Sequence, residues 1–134
     1  MDLKRILITG AAGSIGKSLR SGLAGHYQLI RLSDIVDLDA VRPGEETNHA
    51  DLEILSDVET ACAGMDAVIH LGAVASEAGF DTILGPNIIG AYNLFEAAHR
   101  SRVKRVIFAS SNHAVGLYEV GTPLGVGEAV RPDG

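Results

Sequence analysis

The chain has 134 residues, 46% of them hydrophobic, with 11 Lys and Arg against 17 Asp and Glu, a formal net charge of −6 and one cysteine. That length holds one hydrophobic core of useful size and excludes two. Scattered cations exclude the basic stripe of a nucleic-acid binder, the lone Cys62 excludes an intrachain disulfide and suits a reducing, cytoplasmic setting, and no apolar run reaches membrane-spanning length, so neither a nucleic-acid nor a membrane partner is expected.

The N-terminus carries no signal-peptide pattern and enters a strand directly, Leu3 to Thr9. That strand runs into Thr9-Gly10-Ala11-Ala12-Gly13-Ser14-Ile15-Gly16. Gly10 permits the tight turn, Gly13 lets backbone N–H groups approach a pyrophosphate, and Gly16 allows the next helix to pack closely on the strand. The helix places Ile15, Leu19 and Leu23 on one face and stops near Gly25. A second strand, Gln28 to Ser33, ends at Asp34, about 20 residues beyond the glycines, where an acid can accept hydrogen bonds from an adenosine ribose and repel a 2′-phosphate. The pattern therefore predicts a dinucleotide site with NAD favoured over NADP. A rival reading uses Gly16-Lys17-Ser18 as the end of a P-loop for ATP or GTP, although Ala11 stands where that pattern needs glycine. Glycines that merely shape a strand-to-helix turn are the plain alternative.

Further along, Arg42 to Glu46 reads as a polar loop, and Thr47 to His49 as a third strand. Leu55, Val58 and Cys62 recur at helical spacing, with Glu53, Asp57 and Glu59 turned to solvent. Ala67 to Leu71 is a fourth strand. A third helix is predicted from Pro86 or Asn87 to about Arg102, with Ile88, Tyr92, Phe95 and His99 on one stripe and Pro86 in its first turn. Arg105 to Ala109 is a fifth strand, and 110–134 is a Gly/Pro-rich loop and tail. Strands alternating with helices predict an α/β fold, a parallel sheet covered by helices. His26, His49, His70 and His99 lack ligand spacing, so no metal site is expected.

Thr9 to Gly16, Asp51-Leu52, His70-Leu71-Gly72-Ala73, Asn87-Ile88-Ile89-Gly90-Ala91-Tyr92-Asn93 and Ser110-Ser111 together resemble the extended short-chain dehydrogenase/reductases, or NAD-dependent epimerase/dehydratase family. Within it, Phe108 to His113 with Asn87-Ile88-Ile89-Gly90 looks most like the uronate dehydrogenases, which oxidise hexuronic acids to aldarolactones. The resemblance implies a Rossmann-type sheet of about five strands in the order 3-2-1-4-5, a single NAD-binding domain over 1–134, and truncation before the family's catalytic helix. It places Gly10, Gly13, Ser14 and Ile15 on the pyrophosphate, Asp34 on the ribose, Asp51 and Leu52 on the adenine, and Leu71, Gly72 and Ala73 on the nicotinamide side. Asp51 reads equally as an N-cap for a helix opening at Leu52. Ser111 would be the catalytic serine, with a strand-end capping hydroxyl as its alternative. Ser76, Ser111, Asn112 and His113 would contact a sugar acid. Asn87 reads as an architectural hydrogen-bonder.

The family's proton-abstracting Tyr-x-x-x-Lys pair is missing, because Tyr27, Tyr92 and Tyr118 have no lysine four residues on. Losing a general base typically costs about 10²–10⁴-fold in rate, so this chain alone is expected to bind cofactor with negligible turnover. The fifth strand is expected at an unpaired sheet edge, and a homo-oligomer is expected through that edge or the Tyr92/Phe95 face. A non-catalytic NAD-binding sensor and a nucleotide-sugar epimerase or dehydratase remain the other readings.

Overall fold

A computed structural model describes residues 2–38, 41–119, 121 and 123–133; Val120, Thr122 and Gly134 of the expected tail lie outside the described residues. The strands are β1 (Arg5–Thr9), β2 (Leu29–Asp34), β3 (Glu45–His49), β4 (Ala67–His70) and β5 (Arg105–Phe108). All four pairings are parallel and the order is β3-β2-β1-β4-β5, a Rossmann-type sheet. Between the strands lie α1 (Ser14–Gly22), α2 (Leu55–Cys62), α3 (Phe80–Ile83) and α4 (Gly90–Arg100).

Alternation along the central strand builds a core on each face of the sheet, as a parallel sheet covered on both sides requires. Leu7 joins Val68, Val58, Cys62, Leu94, Ala97 and Ala98 on the side covered by α2 and α4. Its neighbours Ile6 and Ile8 join Ile30 and Leu32 on the other, under Leu19 and Leu23. Cys62 is buried among the first group, and burial pushes its thiol up to about 11. The lower end of β1 is tied by Asp66, whose carboxylate accepts the Lys4 and Arg5 N–H groups at 2.9 Å and the Lys104 ammonium at 2.6 Å.

Several expectations shift. Ile15 is not on the packed face of α1, where Gly16 and Arg20 are the buried positions; it is 61% exposed. Helix α2 opens at Leu55 rather than Leu52, and Asp51 instead accepts the Glu53 N–H at 2.9 Å in a side-chain turn ahead of it. Neither Asp57 nor Glu59 is simply solvated: Asp57 accepts the Asp51 N–H, and Glu59 pairs with Arg100 of α4. The third helical region begins at Phe80, and Pro86 falls inside it, within a π-helical segment, Leu84–Ile89. Proline has no N–H and its ring crowds the carbonyl one turn back, so the wider π turn relieves what an α turn would not. That region ends at Arg100, earlier than expected. Arg102 at φ 57 then closes the helix, its N–H reaching His99 O and the Val103 N–H reaching Ala98 O, in the left-handed position usually held by glycine. The expected stripe is the exposed one, Ile88 on the π segment and Tyr92, Phe95 and His99 on α4, while Leu94, Ala97 and Ala98 are buried.

Beyond β5 the chain is more ordered than its composition suggests. A 3₁₀ turn, Asn112–Val115, is followed by a return in which Leu117 N–H reaches Arg131 O and Arg131 N–H reaches Ala114 O. Among the described residues β5 pairs only with β4, which places it at the sheet edge as expected.

Candidate functional site

The C-terminal ends of β1, β2 and β4 open into a cavity of about 620 Å3, at the point where the strand order reverses from β1 to β4. In open α/β sheets this crevice is the general place for a ligand. Gly10, Gly13, Ser14, Ile15, Asp34, Asp51, Leu52, Leu71, Gly72 and Ala73 all line it. Ile15, which α1 does not pack, contributes its exposed side chain here.

Backbone contacts make the cradle. Gly10 has φ 66, and a Cβ on it would lie 2.7 Å from Gly72 N and Leu71 C. A Cβ on Gly16 would lie 2.5 Å from Gly10 O, so α1 sits against the turn as closely as a side-chain-free residue allows. On Gly13 a Cβ would approach only Gly10 O, at 3.2 Å, so its other side is open to the cavity. Gly13 is the N-cap of α1, with no side-chain cap and no acid in the first turn. The first-turn N–H groups and the positive end of the helix dipole are thus free to meet a diphosphate.

Asp34 is anchored from three sides. Its Oδ2 accepts the Ala12 N–H at 2.9 Å, and its Oδ1 accepts the Ile35 and Val36 N–H groups at 2.8 and 3.3 Å. A carboxylate offers about four lone-pair sites, so capacity remains for a ribose hydroxyl. No Lys or Arg lines the cavity; its charged lining residues are Asp34, Asp51 and Glu53. Lys17, the cation a P-loop would need on the phosphates, is exposed on α1 and absent from the lining. A triphosphate would meet carboxylates without a counter-cation, whereas a diphosphate on a helix N-terminus with a diol at Asp34 fits.

One feature escaped the sequence reading. Thr9 Oγ1 accepts the Leu71 and Gly72 N–H groups at 3.3 Å and lies 2.7 Å from His70 Nδ1. With its oxygen accepting, the hydroxyl donates to Nδ1, and the His70 proton is on Nε2. This buried pair pins the loop after β4 to the strand that feeds the glycine turn, so both walls of the cavity share one support. Burial holds the His70 pKa at about 4, down from 6.5. The unfolded chain therefore takes up a proton that the folded chain refuses between these values. Stability is complete above pH 6.5 and falls by about 3 kcal/mol as the pH drops towards 4. Urea midpoints at pH 7.5 and 4.5 should show this fall. His70→Asn, which keeps an acceptor for Thr9 and cannot titrate, should show a smaller one; equal falls would reject the assignment.

Asn87 ties the π segment to the same loop, accepting the Val74 N–H at 2.8 Å and donating to Val74 O at 3.0 Å. Ser76, Ser111 and Asn112 are exposed and lie outside the cavity lining. Ser111 Oγ accepts the His113 N–H at 3.1 Å and so caps the 3₁₀ turn, which leaves its own proton available to a ligand. His113 lines a second, smaller cavity with Glu77, Ala114, Pro132 and Asp133. Among the described residues no cluster of His, Cys, Asp and Glu has metal-holding geometry, and no helix is long and apolar enough to cross a membrane.

Residues 6–130 match the sequence profile of the NAD dependent epimerase/dehydratase family. The chain belongs to that family. Among its relatives, the uronate dehydrogenase of Pseudomonas putida is 46% identical over 130 residues, covering 96% of this chain and 48% of the relative. A solved structure of Agrobacterium tumefaciens uronate dehydrogenase, a tyrosine-to-alanine mutant complexed with NAD, is similar at a TM-score of 0.93 and 44% identity, covering 99% of this chain and 50% of that one. Glucuronic acid dehydrogenase from Chromohalobacter salexigens is similar at 0.92 and 44%, covering 98% and 50%. The chain spans about half the length of these curated relatives and solved structures. Within the epimerase/dehydratase family, the cavity described here is therefore built from the part of the chain that such relatives share.

Proposed function

We propose that residues 1–134 form one NAD-binding domain, in a reducing, cytoplasmic compartment, of a dehydrogenase that oxidises a hexuronic acid at C1 to its aldarolactone. The observation that carries the cofactor reading is the cavity lining: an uncapped helix N-terminus at Gly13 and the Asp34 carboxylate, with no cation among the lining residues. In this reading Gly10, Gly13, Ser14 and Ile15 hold the diphosphate, Asp34 the ribose, Asp51 and Leu52 the adenine side, and Leu71, Gly72 and Ala73 the nicotinamide side. NAD would supply the hydride acceptor. Ser111 would hydrogen-bond the reacting hydroxyl, and Ser76, Asn112 and His113 would contact the remaining sugar. The uronate assignment draws on the similarity to uronate dehydrogenases across nearly the whole chain.

Calorimetric titration of the chain with NAD, NADP and Mg·ATP tests this. NAD should bind saturably and Mg·ATP should not. NADP should be weaker by about a hundredfold or more, since a phosphate within a few Å of a carboxylate meets several kcal/mol of repulsion at a dielectric near 20. Asp34→Ala should narrow that gap; Mg·ATP binding alone would sink the reading. Association of copies through the β5 edge or the exposed Tyr92 and Phe95 face belongs to the same proposal, and a strictly monomeric mass at high concentration in light scattering would reject it.

A further inference from the structure

Loop 71–77 supplies Val74 and Ala75 to the first cavity and Glu77 to the second, of about 430 Å3. Asp133 reaches it from 20 positions beyond His113. The return of the chain is what delivers it. Arg131 N–H donates to Ala114 O at 2.8 Å, Asp133 N–H to His113 O at 3.3 Å, and the Arg131 guanidinium stands 4.9 Å from the Tyr118 ring centre. Any side chain on Gly116 would run into the Asp133 carboxylate. The outcome is Asp133 Oδ1 at 2.7 Å from His113 Nδ1, while the His113 N–H is held by Ser111 Oγ at 3.1 Å.

An ionised carboxylate only accepts, so Nδ1 is the protonated nitrogen, and neutral His113 has its lone pair on Nε2. Asp133 and Glu77 both line the cavity, and no Lys or Arg does. Walls of that sign repel a further carboxylate and favour hydroxyl groups, which donate. We propose that Asp133 is a positioning residue that sets the His113 tautomer, so that Nε2 accepts a hydroxyl of a polyhydroxylated substrate whose carboxylate is turned away from this cavity. The substrate half of this inference rests on the sugar-acid reading above, and the positioning half stands on geometry alone.

Nitrogen NMR of the chain labelled at histidine, recorded at pH 8, reads the tautomer directly. His113 should be in the Nδ1–H form. Asp133→Ala should return it to the Nε2–H-dominated mixture of free imidazole, and Asp133→Asn, which keeps an acceptor oxygen, should restore Nδ1–H. An Nε2–H-dominated ring in the unaltered chain overturns the positioning role. With NAD present, glucuronate and glucose should then shift the His113 signals to similar extents. A shift with glucuronate alone, or with neither sugar, overturns the hydroxyl reading. Because the tautomer measurement needs no cofactor, a chain that fails to bind NAD defeats the proposed function and still leaves the role of Asp133 decided.

Discussion

Replacing Gly10 by alanine is expected to abolish measurable NAD binding and to lower stability by about 3 kcal/mol. Two costs add. At φ 66 an L side chain is strained, and the new Cβ would lie 2.7 Å from Gly72 N and Leu71 C and 2.8 Å from Leu71 O. All of these are backbone atoms, so no rotamer change relieves the contact. The loop after β4 must move instead, and Leu71, Gly72 and Ala73 on that loop line the cavity. Gly22 is the matched control: it is the last residue of α1, has no positive φ, and a Cβ there meets nothing within 4 Å. Gly22→Ala should leave binding unchanged and stabilise the chain slightly, by up to about 1 kcal/mol. Urea midpoints and NAD titrations of the two variants make the comparison; full NAD affinity in Gly10→Ala would show that the turn does not shape the site.

Removing the Glu45 carboxylate with Glu45→Ala is expected to cost about 3–5 kcal/mol, because it breaks a buried ion pair from one side. Arg20 of α1 donates to Glu45 at the start of β3 through Nε at 3.0 Å and Nη2 at 2.7 Å, and the two side chains are only 8% and 3% exposed. The same carboxylate accepts the Arg42 N–H at 2.8 Å, so it also closes the loop that leads into β3. Replacing both partners by apolar residues, as in Arg20→Met with Glu45→Leu, should be milder than the single change, since both members of the pair then leave together. A thermal-melt double-mutant cycle measures the difference; additive losses would mean the pair is not coupled. The pH dependence follows from the same contacts. The Arg20 hydrogen bond, chiefly, holds the Glu45 carboxyl below its ordinary 4.5. Its contribution is present above pH 4.5 and is lost as the pH falls through the lower folded value. Acid unfolding should accordingly show an upper limb from His70, between 6.5 and about 4, and a lower one from Glu45, which Glu45→Ala removes.

The neighbourhood of a substitution like Gly10→Ala was legible early, whereas that of Glu45→Ala was not. Glycines at 10, 13 and 16 after an apolar strand, with an acid at 34, are local requirements of a tight turn and a close helix, and such requirements are written in residue type and spacing. The strand positions were legible for a similar reason: a buried parallel sheet needs short apolar runs, which mark β1, β2, β4 and β5 though not the polar β3, and all five expected strands formed with bounds moved by no more than two residues. Ile15 was misplaced because helical periodicity says which residues share a face without saying which face is covered, and here the glycine turn makes Gly16 the point of contact. Pro86 was misplaced because a proline inside a helical path is read as a start unless a π turn absorbs it.

By itself the sequence determined the α/β alternation, the glycine turn and the acid at Asp34, since each depends on neighbours in the chain or on a fixed spacing from them, whereas Asp51, Leu52, Leu71, Gly72 and Ala73 were expected at the cavity from the family resemblance. Only the tertiary structure decided that Arg20 meets Glu45, that Thr9 holds His70 beneath both walls of the site, and that Asp133 reaches back to His113. These contacts join residues 20 or more positions apart whose separation obeys no period. A charged or polar side chain looks the same in a sequence whether it ends in water or against a partner, and burial, which makes the partner necessary, exists only once the chain has folded.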